Sequence, residues 1–418
     1  MGDEAIKPFL SSKVLMFQLS ELNPAFQADV HGALDRQRAD NPVEHDAFLP
    51  AVLITAHEPA RKLLLAPTLS RNFDFAGPNN PVAMGLRRLN QAVEAEFGRH
   101  ESMLTLDGED HARVRGVIAE TFLKRASLSQ NVIGEVVNQA LDRLVGRERF
   151  DVVNDYAARI PIRILGRLLG CDEADADQLR AWTEAGQVAF DPTNSEETHQ
   201  RAVEGRRGIL TYFARLMRAR TVEPREDVVS DLLAARAAGA PISDNEILHN
   251  LFALLVAGHL TTADLIGNGV YLLLSNKLSR DPALATAEGM GAAVEEILRY
   301  EPPISITARF PAQAGETSGC PYAAGDALTV QLMAANRDPA KFDNPHAFDI
   351  HREHNAHLAF GAGAHICVGA PLARLEAATA LSALFARFPK LRLAQEGAPQ
   401  WRWTPGVRGL ARLEVMAL

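Results

Sequence analysis

One ten-residue stretch concentrates side chains that could do chemistry. Phe360-Gly361-Ala362-Gly363-Ala364-His365-Ile366-Cys367-Val368-Gly369 sets a cysteine and a histidine among three glycines. Glycine lets a backbone turn tightly and come close to a ligand. Pro371 follows, a residue favoured in the first turn of a helix. A thiolate just ahead of a helix N-terminus is stabilised by the helix dipole and by free amides, so its pKa should fall and its electron donation soften. That tuning suits a sulfur ligand to iron exposed to oxygen chemistry. The plain alternative is a buried structural cysteine beside a glycine-rich turn.

Other residues gain meaning beside this loop. In Ala257-Gly258-His259-Leu260-Thr261-Thr262 the small residues leave room against a helix. The Thr261 hydroxyl can donate to the Ala257 carbonyl one turn back, which opens the helix and leaves a polar notch. The competing reading is ordinary helix packing. Glu296-Ile297-Leu298-Arg299 places an acid and a base at i,i+3, a pairing common on helix surfaces and worth little there. His111 and Arg115 share a helical face at i,i+4, and Arg309 follows the Pro302-Pro303 stop.

Together these motifs resemble the cytochrome P450 family of the soluble bacterial type. The loop matches F-x-x-G-x-x-x-C-x-G at every fixed position, the family's haem-binding signature. The resemblance implies haem b (iron protoporphyrin IX) with Cys367 as its axial ligand and metal contact. It implies that Phe360, Gly361 and Gly369 shape the loop around the sulfur. His111, Arg115, Arg309 and His365 match positions that meet the haem propionates. Ala257 to Thr262 is similar to the oxygen-activation motif, with Thr261 as the catalytic hydroxyl. Leu260 departs from it, standing where an acid is usual. Glu296 and Arg299, joined by Arg352 from Phe348-Asp349-Ile350-His351-Arg352, match a structural triad.

The family pattern puts the substrate pocket in the irregular segment 73–103, around Trp182 to Arg206, at Ile304-Ser305-Ile306 and near Gly406-Val407. Ala257, Leu260, Ile304 and Val407 are its named lining residues. These segments include Phe75, Met84, Leu89 and Phe97, which favours an apolar small molecule: a polyketide, terpenoid or other natural product, with a fatty acid or xenobiotic as the alternative. The implied reaction is hydroxylation or epoxidation by one oxygen atom of dioxygen. Electrons would come from a ferredoxin and its NAD(P)H-dependent reductase. Two alternatives stay open: a haem-thiolate enzyme that uses peroxide or couples and rearranges its substrate, and a non-catalytic haem-binding protein. The resemblance runs from about His111 to the C-terminus. An acidic ferredoxin would need a basic docking face, for which Arg113, Arg374 and Lys341 are candidates.

The elements that must position these residues are mostly helices. Ser243-Asp244-Asn245-Glu246 is a capping box opening a long apolar helix to about Ser275, roughly 50 Å in length. Further helices are expected from His111 to about Val145, at Ile160–Leu169, Arg201–Arg220 and Gly289–Tyr300, and from Pro371 to about Phe388. Strands are expected at Ala51–Thr55 and Ala327–Met333. Arg71–Asn80 reads as loop. The fold class is therefore mainly α with small β-sheets. The P450 resemblance places haem between the long helix and the cysteine-loop helix. Residues 1–418 read as one domain without a separable linker.

Composition agrees. The 418 residues carry a net charge of −9, which disfavours nucleic acid as a partner. Three dispersed cysteines, Cys171, Cys320 and Cys367, suggest neither a disulfide framework nor a zinc site and fit a reducing cytoplasm. Met1 to Ser20 has no apolar signal core, and no run of about 20 apolar residues suggests a membrane anchor.

Overall fold

The computed structural model describes residues 23–46, 50–186, 195–395 and 399–417. The N-terminal stretch read above for a signal core lies outside them.

The organising element is the central helix, Asp244–Ser275. Ser243 accepts from the Glu246 amide and Glu246 accepts from the Ser243 amide, so the capping box forms as expected. Its 32 residues are buried through most of their length. The sequence reading finds no apolar span long enough for a membrane. This helix does meet that length and hydropathy, because its scattered Asn, His and Asp residues interrupt the run without making it polar overall. Its apolar surface is buried against other helices. Gly258 allows one close crossing: a Cβ there would lie 2.8 Å from Leu165 on helix Ile160–Leu169.

Around it stand Gly108–Ser127, Gln130–Asp142, Glu196–Val222, Ala287–Tyr300 and Ala370–Arg387. The single helical run expected from His111 to Val145 is two helices, broken at Leu128 and Ser129. One large apolar cluster spans them, from Leu89 to Val415. Helix Ala176–Gly186 and the roof helix Glu196–Val222 cross tightly. A Cβ on Gly205 would meet the Trp182 carbonyl oxygen at 2.7 Å, and one on Gly208 would lie 2.4 Å from the Trp182 ring.

Strands are few. The largest sheet orders Val43–His45, Ala51–Ile54, Ala327–Gln331, Ile306–Pro311 and Leu69–Ser70. Ala51–Ile54 runs parallel to Ala327–Gln331, pairing Val52 with Leu328. The strand expected to reach Met333 ends at Gln331 and turns into a short helix. A hairpin of Gln400–Thr404 and Val407–Arg412 lies against the central helix.

Segment 73–103, expected to be irregular, contains the helix Pro81–Phe97. Asn80 accepts from the Ala83 amide and Pro81 takes the first turn. Asn80 closes the expected loop, yet Asn followed by Pro is equally a helix start.

Candidate functional site

The cysteine loop folds as a tight wrap. Gly361 and Gly363 both take positive φ, and a Cβ on Gly363 would meet the Leu64 carbonyl oxygen at 2.7 Å. The Cys367 amide donates to the Phe360 carbonyl, closing the loop. Gly369 then leads into helix Ala370–Arg387. Cys367 is exposed, unlike Cys171 and Cys320. The residue reaches solvent, yet its sulfur is enclosed by the surrounding chain, and that desolvation pushes the thiol up. The Gly369 and Ala370 amides and the charges of Arg115 and Arg71 pull it down without cancelling that effect. The lowered pKa expected from helix position is therefore not met by the protein alone. A metal cation would supply the missing positive charge.

Cations gather at the edge of this loop. The Arg115 guanidinium donates to the Ile366 carbonyl at 2.6 Å. His365 lies 3.3 Å from Asp107 and packs on His111, ring centroids 4.1 Å apart. His111 is buried with Nε2 unpartnered, and burial holds it down to about 4. Arg309 is buried, which pulls its pKa down to about 10.

Sequence reasoning missed two members. Arg71 approaches Thr307 Oγ1 at 3.3 Å and feels the Cys367 charge. Asp107 accepts from the Arg71 amide and from Ser70. Asp107-Gly108 just ahead of His111 is a helix-start signal that could have found the acid. Burial would raise Asp107, but the bonds from His365, Ser70 and Arg71 outweigh it and hold the carboxyl low.

Among the described residues no carboxylate lies within salt-bridge distance of Arg71, Arg115 or Arg309. Asp107 is the acid whose charge reaches Arg71 and Arg309. Surplus cations and an orphaned imidazole nitrogen fit a group that brings two carboxylates of its own.

On the central helix, Ala257 is exposed although most of the helix is buried. Thr261 Oγ1 donates to the Ala257 carbonyl at 2.7 Å, forming the expected notch. Leu260 is buried. His259 points elsewhere: Nδ1 lies 2.7 Å from Thr183 Oγ1 and Nε2 3.3 Å from the Ala158 carbonyl. Asp264, one turn beyond Leu260, is buried and paired with Arg402 at 2.6 Å. Burial raises it to about 6 despite that partner. Ile304 and Val407 pair across an isolated β-bridge, so these two pocket candidates meet.

The triad forms fully. Arg299 grips both oxygens of Glu296 at 2.8 and 2.7 Å, and Arg352 reaches the same carboxylate at 3.2 Å. Asn355 and the Asp349 amide complete its shell. Arg299 and Glu296 are wholly buried.

The expected docking charges fare less well. Arg113 is committed to Asp110 and Glu246. Arg374 is held by Glu295 and lies over the Phe360 ring. Their positive charge is largely spent within the chain.

The Cytochrome P450 family model matches residues 288–402. The chain is 35% identical over 410 residues to cytochrome P450 monooxygenase PikC of Streptomyces venezuelae, covering 96% of this chain and 94% of that protein. It is 34% identical over 405 residues to 6-deoxyerythronolide B hydroxylase of Saccharopolyspora erythraea, covering 94% and 96%. The crystal structure of myxobacterial CYP267B1 with myristic acid superposes with a TM-score of 0.84 at 32% identity, covering 97% and 99%. With the loop, the surplus cations and the buried triad in place, the chain belongs to the cytochrome P450 family, a haem monooxygenase and oxidoreductase whose cofactor is haem b.

Proposed function

We propose that Cys367 is the thiolate ligand to the haem iron and that the enzyme oxygenates an apolar natural product of polyketide type. The observation that carries the ligand assignment is the place of Cys367, the one cysteine among the described residues that reaches solvent, in the glycine loop at the start of helix Ala370–Arg387. The other two cysteines are buried, and burial pushes Cys171 up to about 12. The substrate class draws on 6-deoxyerythronolide B hydroxylase as a relative and on the apolar residues Ala257, Leu260, Ile304 and Val407.

When bound, haem supplies the activation of dioxygen. The protein's own work is placement. Arg71, Arg115, Arg309, His111 and His365 would hold the two propionates. Phe360, Gly361 and Gly369 fix the loop that presents the sulfur. Glu296, Arg299 and Arg352 brace the chain behind it as scaffold. The Thr261 hydroxyl, already oriented by the Ala257 carbonyl, holds a proton at the distal notch that Leu260 cannot. Residues 1–418 act in this reading as one domain. Electrons arrive from a ferredoxin served by an NAD(P)H-dependent reductase.

The test is spectroscopic. The reduced carbon monoxide complex should show the strongly red-shifted Soret band of a thiolate-ligated haem. Cys367→Ala should abolish it, and Cys171→Ala and Cys320→Ala should leave it intact. Survival of the band in Cys367→Ala overturns the assignment.

A further inference from the structure

A second polar cluster lies on the central helix well away from the cysteine loop. It joins Arg206 of the roof helix, His249 of the central helix and His100 of the segment after Pro81–Phe97. Arg206 is only 6% exposed. One Nη donates to His100 Nδ1 at 3.0 Å, and the guanidinium sits 4.5 Å from the Phe252 ring centroid. Its Nε is buried with no partner. Among the described residues no carboxylate comes within salt-bridge distance of it. The neighbouring acids are engaged: Glu101 accepts from Asn245, and Glu246 is held by Arg113 and Ser243.

The two imidazoles add to the imbalance. Their Nδ1 atoms are 3.0 Å apart, and His249 Nε2 lies 3.3 Å from the Phe97 carbonyl. A carbonyl only accepts, so Nε2 must carry a hydrogen. His100 Nδ1 already accepts from Arg206. That lone pair is then taken, so the His249 Nδ1 beside it finds no complementary partner in His100. Burial and the Arg206 charge hold His249 down to about 4. An anion would give Arg206 the counter-charge that neither imidazole can supply.

The cluster is placed to meet a molecule held near the haem. His249, Phe252 and Val256 fall at i, i+3 and i+7, one stripe of the central helix. Phe252 and Val256 are half-buried, and the stripe leads to the exposed Ala257. From His249 to Ala257 is eight residues, about 12 Å of helix axis.

We infer that Arg206, His100 and His249 form an anchor for a carboxylate, and that the otherwise apolar substrate of the proposed function is elongated and carries that group about 12 Å or more from the oxidised position. A guanidinium fork matches a planar carboxylate in two parallel hydrogen bonds. Phe252 and Val256 carry the apolar body toward Ala257 and Thr261. The anchor rests on the monooxygenase reading for its direction, since oxidation occurs at the far end.

The probe pair is dodecanoate and dodecanol, titrated spectrally against the haem-loaded, full-length protein. Dodecanoate should bind about tenfold more tightly, the size of one charged hydrogen bond. In Arg206→Gln that ratio should fall to about one, with dodecanol affinity nearly unchanged. Arg206→Lys should keep part of the preference. If Arg206→Gln does not load haem, His100→Gln takes its place, and the preference should fall there about threefold. Equal binding of the two probes by the wild type, no binding of dodecanoate, or a preference indifferent to both variants overturns the anchor. Oxygenation is measured separately with an electron donor. A wild type that shows no acid preference yet oxygenates dodecanol refutes the anchor alone. An intact preference without oxygenation refutes the substrate reading alone.

Discussion

Arg299 is wholly buried with a bidentate carboxylate and the carbonyls of Asn336, Pro345 and Ala347 around it. Arg206 is almost as buried, with one imidazole nitrogen and one aromatic ring. The first site is closed: every charge has its partner inside the chain. The second is open: its charge balance requires something from outside. Burial alone thus separates neither role. Whether the chain itself completes the shell does, and the cations beside Cys367 fall on the open side with Arg206.

The largest test of this contrast is Glu296→Ala. It strands two arginines, and removing one partner from a buried pair costs about 3–5 kcal/mol. The variant should fold poorly and lose haem, read by the urea midpoint and by haem content. A stable, haem-loaded variant would place Glu296 with the open sites. Next is Arg206→Met. Removing a buried cation that lacks a counter-ion should raise the stability of the substrate-free protein by about 1 kcal/mol. A fall of that size in the denaturation midpoint would mean that Phe252 and His100 already satisfy the arginine.

The smallest effect is in the pH profile. His249 is held to about 4 by burial and Arg206, against an ordinary 6.5. Between those values the unfolded chain binds more protons, so acidification from 6.5 to 4 costs stability. His259, held to about 3 by burial, acts in the same direction. Asp264, raised by burial from 3.8 to about 6, acts oppositely within its own window, because the folded chain keeps the proton there. His249→Asn should flatten the stability slope between 6.5 and 4 and leave the slope below 4 unchanged. An unaltered slope would mean that the folded protein already holds His249 as a cation.

The cysteine loop, the central helix with its capping box and the Glu296 pair were legible because each is written in adjacent residues. Their spacing is their geometry. Asn80-Pro81 was equally local, yet the preceding run of turn formers hid a 17-residue helix. The role of His259 was not legible: its ring direction depends on Thr183, 76 residues away. The anchor cluster was invisible for the same reason on a larger scale. Positions 100, 206 and 249 share no period, and only the crossing of the roof and central helices brings them together.

Trp182 keyed over Gly205 and Gly208 has a mechanical consequence. Arg206 lies between those two glycines, at the joint itself. With the indole seated in a notch that leaves no space for a β-carbon, the two helices cannot slide past each other without unseating it, so they travel as one lever. Any movement of the joint therefore carries the Arg206 guanidinium with it, and a heavier residue at 205 or 208 would unseat the indole and shift Arg206.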